Sequence, residues 1–482
     1  MYIMSGGGNT GTRSEYRFDL GYVWMISAIA ALGGLLFGYD WVVIGGAKPF
    51  YEPYFHLNSE SEIGWANSCA LLGCLAGSIC SGLVSDGIGR KKLLIAAACL
   101  FGVSSVATGW AHLFSSFIAW RISGGVAIGI ASNVSPTYIA EVAPAPWRGR
   151  LVTLNQLTIV IGILAAQVVN LLIAGHVDPS ASTDAIRGSW QGQFGWRWMF
   201  MAVAVPSLIF FICAFRVPES PRWLIKTGAR DKAERILRRI GGAGYADDEM
   251  REVEAGLTHE DRAREVGQGG SWRDLLRPAM LGLLLIGIGL AVLQQWSGTN
   301  VIFNYAEEIY RGAGYDLSGV MFNIVITGAI NLIFTLVATL CVDRFGRRAL
   351  MLWGTAAICV LHGLLGAAFW FGVTGPVVLG LTLAVIAAYA MSLAPLTWVL
   401  LSEIFPTRVR GRAVSVAVSA LWLACFAVTY SFPILNKALG AAGTFWCYSA
   451  FCLAGFVFIA RLVPETSGKS LEEIEADLTS KP

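Results

Sequence analysis

The sequence predicts an all-α membrane protein: twelve transmembrane helices in two six-helix bundles, with short cytoplasmic helices between the halves. Three observations carry that reading. Of 482 residues, 55% are hydrophobic and 14% are charged, whereas a soluble domain carries roughly 25% charged residues. The apolar residues gather into windows near the ~20 residues that a bilayer core requires. The same short charged motifs occur twice, in the same order.

Taken in chain order, the windows lie near 22–46, 63–84, 93–111, 115–138, 151–174 and 197–215. After a polar gap they continue near 279–303, 317–341, 349–371, 376–400, 412–436 and 442–462. The 55 glycines suit such helices, because small residues let backbones approach closely. The first twenty residues are polar, with no short apolar stretch leading to a small-residue cleavage site, so no cleaved signal peptide is expected.

Lys and Arg in the short loops set the orientation. One set of loops holds "GRKK" (89–92), "RGR" (148–150), "RFGRR" (344–348) and "RVRGR" (408–412). The alternate set is nearly bare, with Lys48, Arg187, Arg311 and Lys437 as its basic residues. The basic loops, and with them both termini, are expected in the cytoplasm, in a multi-pass protein of the inner or plasma membrane. The expected organisation is an N-terminal segment (1–21), a first bundle (22–215), a cytoplasmic linker (216–278), a second bundle (279–462) and a cytoplasmic tail (463–482). In the linker, Ala233, Ile236, Leu237 and Ile240 recur at helical spacing among charges, which predicts short amphipathic helices.

Ten cysteines lie scattered in apolar runs, among them Cys69, Cys74, Cys80, Cys99, Cys359 and Cys452, with no C-x-x-C and no histidines at ligand spacing. They read as small buried hydrophobes, and neither a metal nor a cofactor is expected. The spans contain no H-E-x-x-H and no G-x-S-x-G, so an enzyme is not expected. Loop arginines explained by topology give no support for nucleic-acid binding, and no obligate protein partner is evident.

The loop charges also form a repeat. Asp86 precedes Arg90 by four residues, as Asp343 precedes Arg347; Glu141 precedes Arg148 by seven, as Glu403 precedes Arg410. "VPES", with Glu219, closes the first half and "VPET", with Glu465, the second. Copies roughly 250–260 residues apart mean two similar halves, related by an axis along the membrane normal. These carboxylates and arginines are expected to pair at helix ends, forming a cytoplasmic gate that separates when the protein opens on that side.

The spans hold polar side chains that need partners: Asn155 and Gln156 in the fifth, Gln294, Gln295 and Asn300 in the seventh, Asn331 in the eighth. Amides donate and accept, as adjacent sugar hydroxyls require; the rings of Phe37 and Trp398 suit the C–H face of a pyranose. Ser297-Gly298 and Pro395 weaken helix continuity near the midplane, where gating helices bend.

"GRKK", "RGR", "PESPRWL" (218–224), "FGRR" and "PETSGKS" (464–470) resemble the signatures of the sugar porter family of the major facilitator superfamily, from about Tyr22 to Leu471. The resemblance implies two bundles rocking around a central monosaccharide site. It implies that Gln156, Gln294, Gln295, Asn300, Asn331 and Trp398 line that site. Three positions depart from the family's pattern: Asn304 replaces the first of two tyrosines, Ala394 a frequent glycine, and Leu421 an amide found in a proton-coupled xylose symporter.

From Tyr22 to Gly46 the one formal charge is Asp40, and the other charge deep in a first-half span is Arg121. Guanidinium keeps its proton, so in hydrocarbon it needs an anion or water, and the two are expected to pair. The second-half counterpart of Arg121, twenty residues before Glu403, is Leu383, so the pair is not needed merely to build a half. The resemblance implies that Asp40 carries a proton, since facilitative glucose transporters have asparagine there. The expected activity is import of a hexose or pentose by proton symport through alternating access. The alternatives are a uniporter with Asp40 structural, and a sugar receptor that does not translocate.

Overall fold

The computed structural model describes residues 16–177, 182–265, 275, 277–405 and 409–465. Among the described residues eleven helices are long and apolar enough to cross a membrane. The last, Arg410–Leu462, is two spans joined at Gly440 (φ 70°, ψ 172°), which brings the crossings to the twelve expected. In the first half the spans are Leu20–Phe55, Glu60–Ile88, Arg90–Gly109, Phe114–Val142, Arg148–Ala174 and Gln191–Ala214. In the second, the seventh span runs Pro278–Trp296 and resumes as Thr299–Asn304; Leu317–Phe345 and Arg347–Trp370 follow, and the tenth is split into Pro376–Met391 and Leu393–Glu403.

Local chemistry fixes several starts. Ser59 opens the second span with a capping box, accepting from the Glu62 N–H while Glu62 accepts from its own. Asp19 and Asp316 cap the first and eighth spans with a side-chain oxygen that accepts from the Tyr22 and Gly319 N–H groups. Large apolar residues such as Leu83, Leu172, Trp353 and Phe371 are three-quarters exposed, which water would not tolerate over so much surface and lipid does.

Two contacts lock the first half backbone to backbone. A Cβ on Gly38 would lie 1.9 Å from the Ile159 carbonyl oxygen, and one on Gly162 would lie 2.1 Å from that of Leu35. The first and fifth spans therefore interlock reciprocally. The second and fourth do the same through Gly125 against the Ala70 carbonyl (1.9 Å) and Gly73 against that of Ile122 (2.1 Å). Between halves, the second span packs on the eleventh and the fifth on the eighth.

The linker forms Pro221–Lys226 and Arg230–Glu265, the latter turning at Gly242 (φ 85°). Ala233, Leu237 and Ile240 are buried, as their spacing predicts. The Ile240 carbonyl accepts from the Asp19 N–H at 2.8 Å, and Arg239 stacks 3.9 Å over Tyr22. The linker thus docks on the start of the first span.

One expectation is corrected. Lys48 reads as a loop residue in the sequence, but the first helix continues to Phe55 through Pro49 and Pro53 and buries Lys48 to 2% exposure.

Candidate functional site

Asp40 and Arg121 meet. Arg121 Nη1 donates to Asp40 Oδ1 at 3.0 Å, and its Nη2 lies 3.5 Å from the Asp40 carbonyl oxygen. Both residues are buried, and the guanidinium stacks 5.3 Å from the Phe200 ring. The fourth span can bring Arg121 this close because small residues follow it: a Cβ on Gly124, one turn on, would approach Asp40 Oδ2 to 3.6 Å. Oδ2 itself has no protein partner. A buried carboxylate with one oxygen held by a cation and one free can accept a proton without breaking its existing hydrogen bond.

The seventh span breaks where the sequence predicts. Its first helix is capped at Ser297, Gly298 takes φ +80°, and a new helix begins at Thr299. Gln294 Nε2 reaches the carbonyls of Leu393 and Ala394, both at 3.2 Å, at the break of the tenth span. Gln295 donates to Gln294 Oε1 at 3.2 Å, and Asn300 donates to Gln295. Three amides from both sides of one break therefore form a single hydrogen-bonded chain. The Ser297 carbonyl, which the break removes from the helical ladder, accepts from His362 Nε2 at 2.8 Å. His362 escaped the sequence reading, since a lone histidine in an apolar span carries no signal of its partner.

Other expected residues are placed less tightly. Phe37 joins Trp41 and Trp422 in an aromatic trio with centroids 5.9–6.0 Å apart, spanning both halves. Gln156 is half-buried on the fifth span and Asn331 buried on the eighth, and these two spans pack together. Neither is hydrogen-bonded to the amide chain among the described residues. Trp398 stands apart with 37% exposure. Of the three departures, Ala394 supplies the carbonyl that holds Gln294, Leu421 is buried beside Trp422, and Asn304 is buried at the end of the seventh span.

The end opposite the basic loops carries a cluster the sequence did not reveal. Lys48 Nζ lies 3.1 Å from Glu52 on its own helix and 3.6 Å from Glu307 beyond the seventh span, and is hydrogen-bonded to Glu308. Tyr305 presents its ring at 5.6 Å, and Arg311 pairs with Glu307 at 2.9 Å. Ser61 and Tyr430 share a hydrogen bond of 2.6 Å, and Glu60 pairs with Lys437 at 2.8 Å, also between halves. The available signal was the i, i+4 spacing of Lys48 and Glu52 together with the adjacent acids Glu307 and Glu308.

At the basic-loop end Arg90 binds Asp86 at 3.1 Å and Glu141 at 3.0 Å, and Lys226 reaches Asp86 at 2.7 Å. Glu219 accepts the backbone N–H groups of Arg90 (2.9 Å) and Lys91 (3.1 Å). Glu465 does the same for Arg347 and Arg348, both at 3.2 Å, so the repeat is physical. Arg347 pairs with Glu403 at 3.7 Å, and Arg410 Nε donates to the Phe405 carbonyl at 3.1 Å.

Two expectations change here. Glu141 takes Arg90 and not Arg148, because the helix ends at Val142 and Arg148 opens the next one, exposed. Arg148 acts on the linker instead, where burial pushes the Glu249 carboxyl up and Arg148 partly offsets it. The Asp343 side chain lies outside the described residues. The ion pairs named here, among the described residues, join partners within one half or, for Lys226, the linker to the first half. They coexist with a 190 Å³ cleft between the halves at this end, bordered by Ser81, Ser85, Arg90 and Asn133 on one side and Val414 and Ser415 on the other. They brace each half; they do not close the cleft.

The family model described as "Sugar (and other) transporter" matches residues 26–478. The chain is 37% identical over 491 residues to the D-xylose-proton symporter of Escherichia coli (strain K12), covering 95% of this chain and 96% of that protein. It is 38% identical over 465 residues to the arabinose-proton symporter of Bacillus subtilis (strain 168), covering 96% of each. Its structure is similar to the inward open conformation of the xylose transporter XylE from E. coli, with a TM-score of 0.82 at 37% identity, covering 94% of this chain and 99% of that one. For XylE bound to 6-bromo-6-deoxy-D-glucose the TM-score is 0.78 at 37% identity, covering 96% and 100%.

Proposed function

This chain belongs to the sugar (and other) transporter family, and from that premise we propose that it imports a monosaccharide by proton symport through alternating access. The observation that carries the reading is the buried ion pair of Asp40 and Arg121 at 3.0 Å. Two apolar residues would often stabilise a bundle as well as a buried ion pair does, so the pair has another use, and its absence from the second half agrees.

The basic loops are cytoplasmic in this reading. The structure is then the state open to the cytoplasm, with Lys48, Glu307 and Glu308 sealing the outer end. The cleft at the basic-loop end supports that assignment, as does the higher TM-score against the inward open relative than against the sugar-bound one.

In the cycle, a proton from outside adds to Asp40 Oδ2 and sugar binds among Gln294, Gln295 and Asn300, with Gln156 and Asn331 joining from the fifth and eighth spans. The aromatic trio of Phe37, Trp41 and Trp422 covers the sugar's apolar face, and Trp398 borders the opened cavity. The outer end closes, sugar leaves through the inner cleft, and the proton follows it, restoring the ion pair of Asp40 and Arg121. A ligand shifts such an equilibrium only by its differential affinity for the two states, so coupling requires that proton and sugar each favour closure of the outer end.

The test is uptake by reconstituted protein of labelled D-xylose, L-arabinose, D-glucose and myo-inositol, with and without an acidic exterior. Accumulation of one of them above its equilibrium level only when the outside is acidic is the expected result. Equilibration without accumulation would reduce the protein to a uniporter, and binding without uptake to a receptor.

A further inference from the structure

A cavity of about 10 Å³ lies between Arg121 and the end of the seventh span. That is near the roughly 10–15 Å³ needed to hold one water molecule. Trp41, Asn67, Leu71, Cys74 and Arg121 border it from the first half; Asn304 is the second-half residue on its wall among the described residues. Its polar neighbours are incompletely satisfied. Asn67 Oδ1, Asn304 Oδ1 and Arg121 Nε are each buried with no protein partner, while Asn67 spends its Nδ2 on the Ile63 carbonyl at 3.0 Å. The three residues are 3–4% exposed. Two acceptors and a cationic donor around a water-sized space match the two donors and the acceptor lone pairs of one water.

We propose that a water molecule bound here joins Arg121 of the first half to Asn304 of the second, and that Asn304 is thereby a positioning residue for proton coupling. The inference rests on the reading of Asp40 and Arg121 as the proton site and extends it to a residue outside that pair.

The geometry gives the link a direction. Asn304 reaches the cavity wall because the first and seventh spans touch: a Cβ on Gly45 would lie 2.5 Å from the Phe303 carbonyl oxygen and 3.4 Å from Asn304 Cα. That contact belongs to the state closed at the end of Lys48 and Glu307, and opening of that end withdraws Asn304. While Asp40 is ionised, Arg121 has its anion and needs the water little. When a proton adds to Asp40 Oδ2 and forms a carboxylic acid, the guanidinium loses its counter-charge. Asp40 Oδ1 and the Asp40 carbonyl still accept from it, but both are neutral, and the amide oxygens reached through the water make up part of what the lost charge gave. Protonation therefore favours the state in which Asn304 is present, which is the direction a symporter requires.

The experiment is proton-to-sugar stoichiometry in proteoliposomes of the full chain, read by an entrapped pH dye alongside labelled D-xylose or whichever panel sugar the wild type transports. Asn304→Leu, close in volume and unable to hydrogen-bond, should lower the stoichiometry at least threefold while sugar exchange falls much less. Asn304→Ser, which keeps a polar group and room for water, should stay within about twofold of wild type. Asn67→Leu attacks the same cavity from the other half and should uncouple similarly, so a failure of one variant to reach the membrane leaves the other to decide. Wild-type stoichiometry in both leucine variants would overturn the proposal. Asp40→Asn separates the two levels: if it uncouples while both leucine variants stay coupled, the water link fails and the proton site stands; if it stays coupled, the proton site itself fails.

Discussion

Lys48 Nζ and Glu307 Oε2 lie 3.6 Å apart across the boundary between the two halves, with Glu52 and Glu308 on the same cation. One buried ammonium thus holds together carboxylates from the first span and from the short helix that follows the seventh. Removing it takes the shared cation from Glu52 and Glu308 and leaves Glu307 to Arg311, and the cost falls on closure of this end. Lys48→Met should shift the population toward the state open there by tenfold or more, since ~1.4 kcal/mol is a factor of ten. Spin labels at the exposed positions Asn58 and Leu439 would report a longer distance in the variant. An unchanged distance distribution would mean that the cluster does not govern closure.

A proton site at Asp40, as proposed, predicts a split phenotype. Asp40→Asn keeps the shape and the acceptor for Arg121 but cannot ionise, so it imitates the protonated carboxyl permanently. Uphill accumulation should vanish, while exchange of sugar across the membrane stays within a few-fold of wild type. Counterflow and gradient-driven uptake measured on the same vesicles would check this.

The amide chain predicts a binding defect. Each sugar hydroxyl held by Gln294 or Gln295 is worth about 0.5–1.5 kcal/mol. Gln295→Ala should therefore raise KM roughly threefold to tenfold, and it also releases Asn300. Gln294→Ala should cost at least as much, because it frees the carbonyls of Leu393 and Ala394 as well. Initial-rate uptake over a range of sugar concentrations separates KM from the maximal rate.

Close backbone packing predicts a stability defect far from the site. Gly125→Leu cannot be seated without forcing the second and fourth spans apart, since even a Cβ would lie 1.9 Å from the Ala70 carbonyl. Overpacking of this kind costs about 1–3 kcal/mol or more. A clear drop in the thermal midpoint of detergent-purified protein is expected, and a midpoint equal to that of wild type would contradict the packing described.

Much of this was legible because membrane physics simplifies the reading. Asp40 and Arg121 stood out as lone charges in apolar spans, and each had few possible partners. Ser297-Gly298 announced its break because serine and glycine both loosen a helix, and Gly298 does adopt positive φ. The tenth span breaks at Ser392, three residues ahead of the proline that signalled it, because proline is accommodated in the first turn of a new helix. Pro49, Pro53 and Pro433 lie inside continuous helices and broke nothing, so proline alone is a weak guide here. Lys48 was missed because an apolar window ends where the first charge begins, although the helix does not. Glu141 was matched with Arg148 by sequence spacing, when the partner that space provides is Arg90 on another helix.

The reciprocal glycine contacts make the first bundle a stiff chassis, whereas the interruptions at Gly298 and Ser392 place the joints in the second. In the proposed cycle, energetics and most of the selectivity are then mounted on different parts: the fuel inlet on the frame, the larger share of the cargo grip on the hinged arm. Anyone redesigning this carrier for another solute can edit around the joints and leave the frame untouched, and a compound wedged into the cleft beside Ser85 and Ser415 would act as a doorstop for whichever cargo the arm is built to hold.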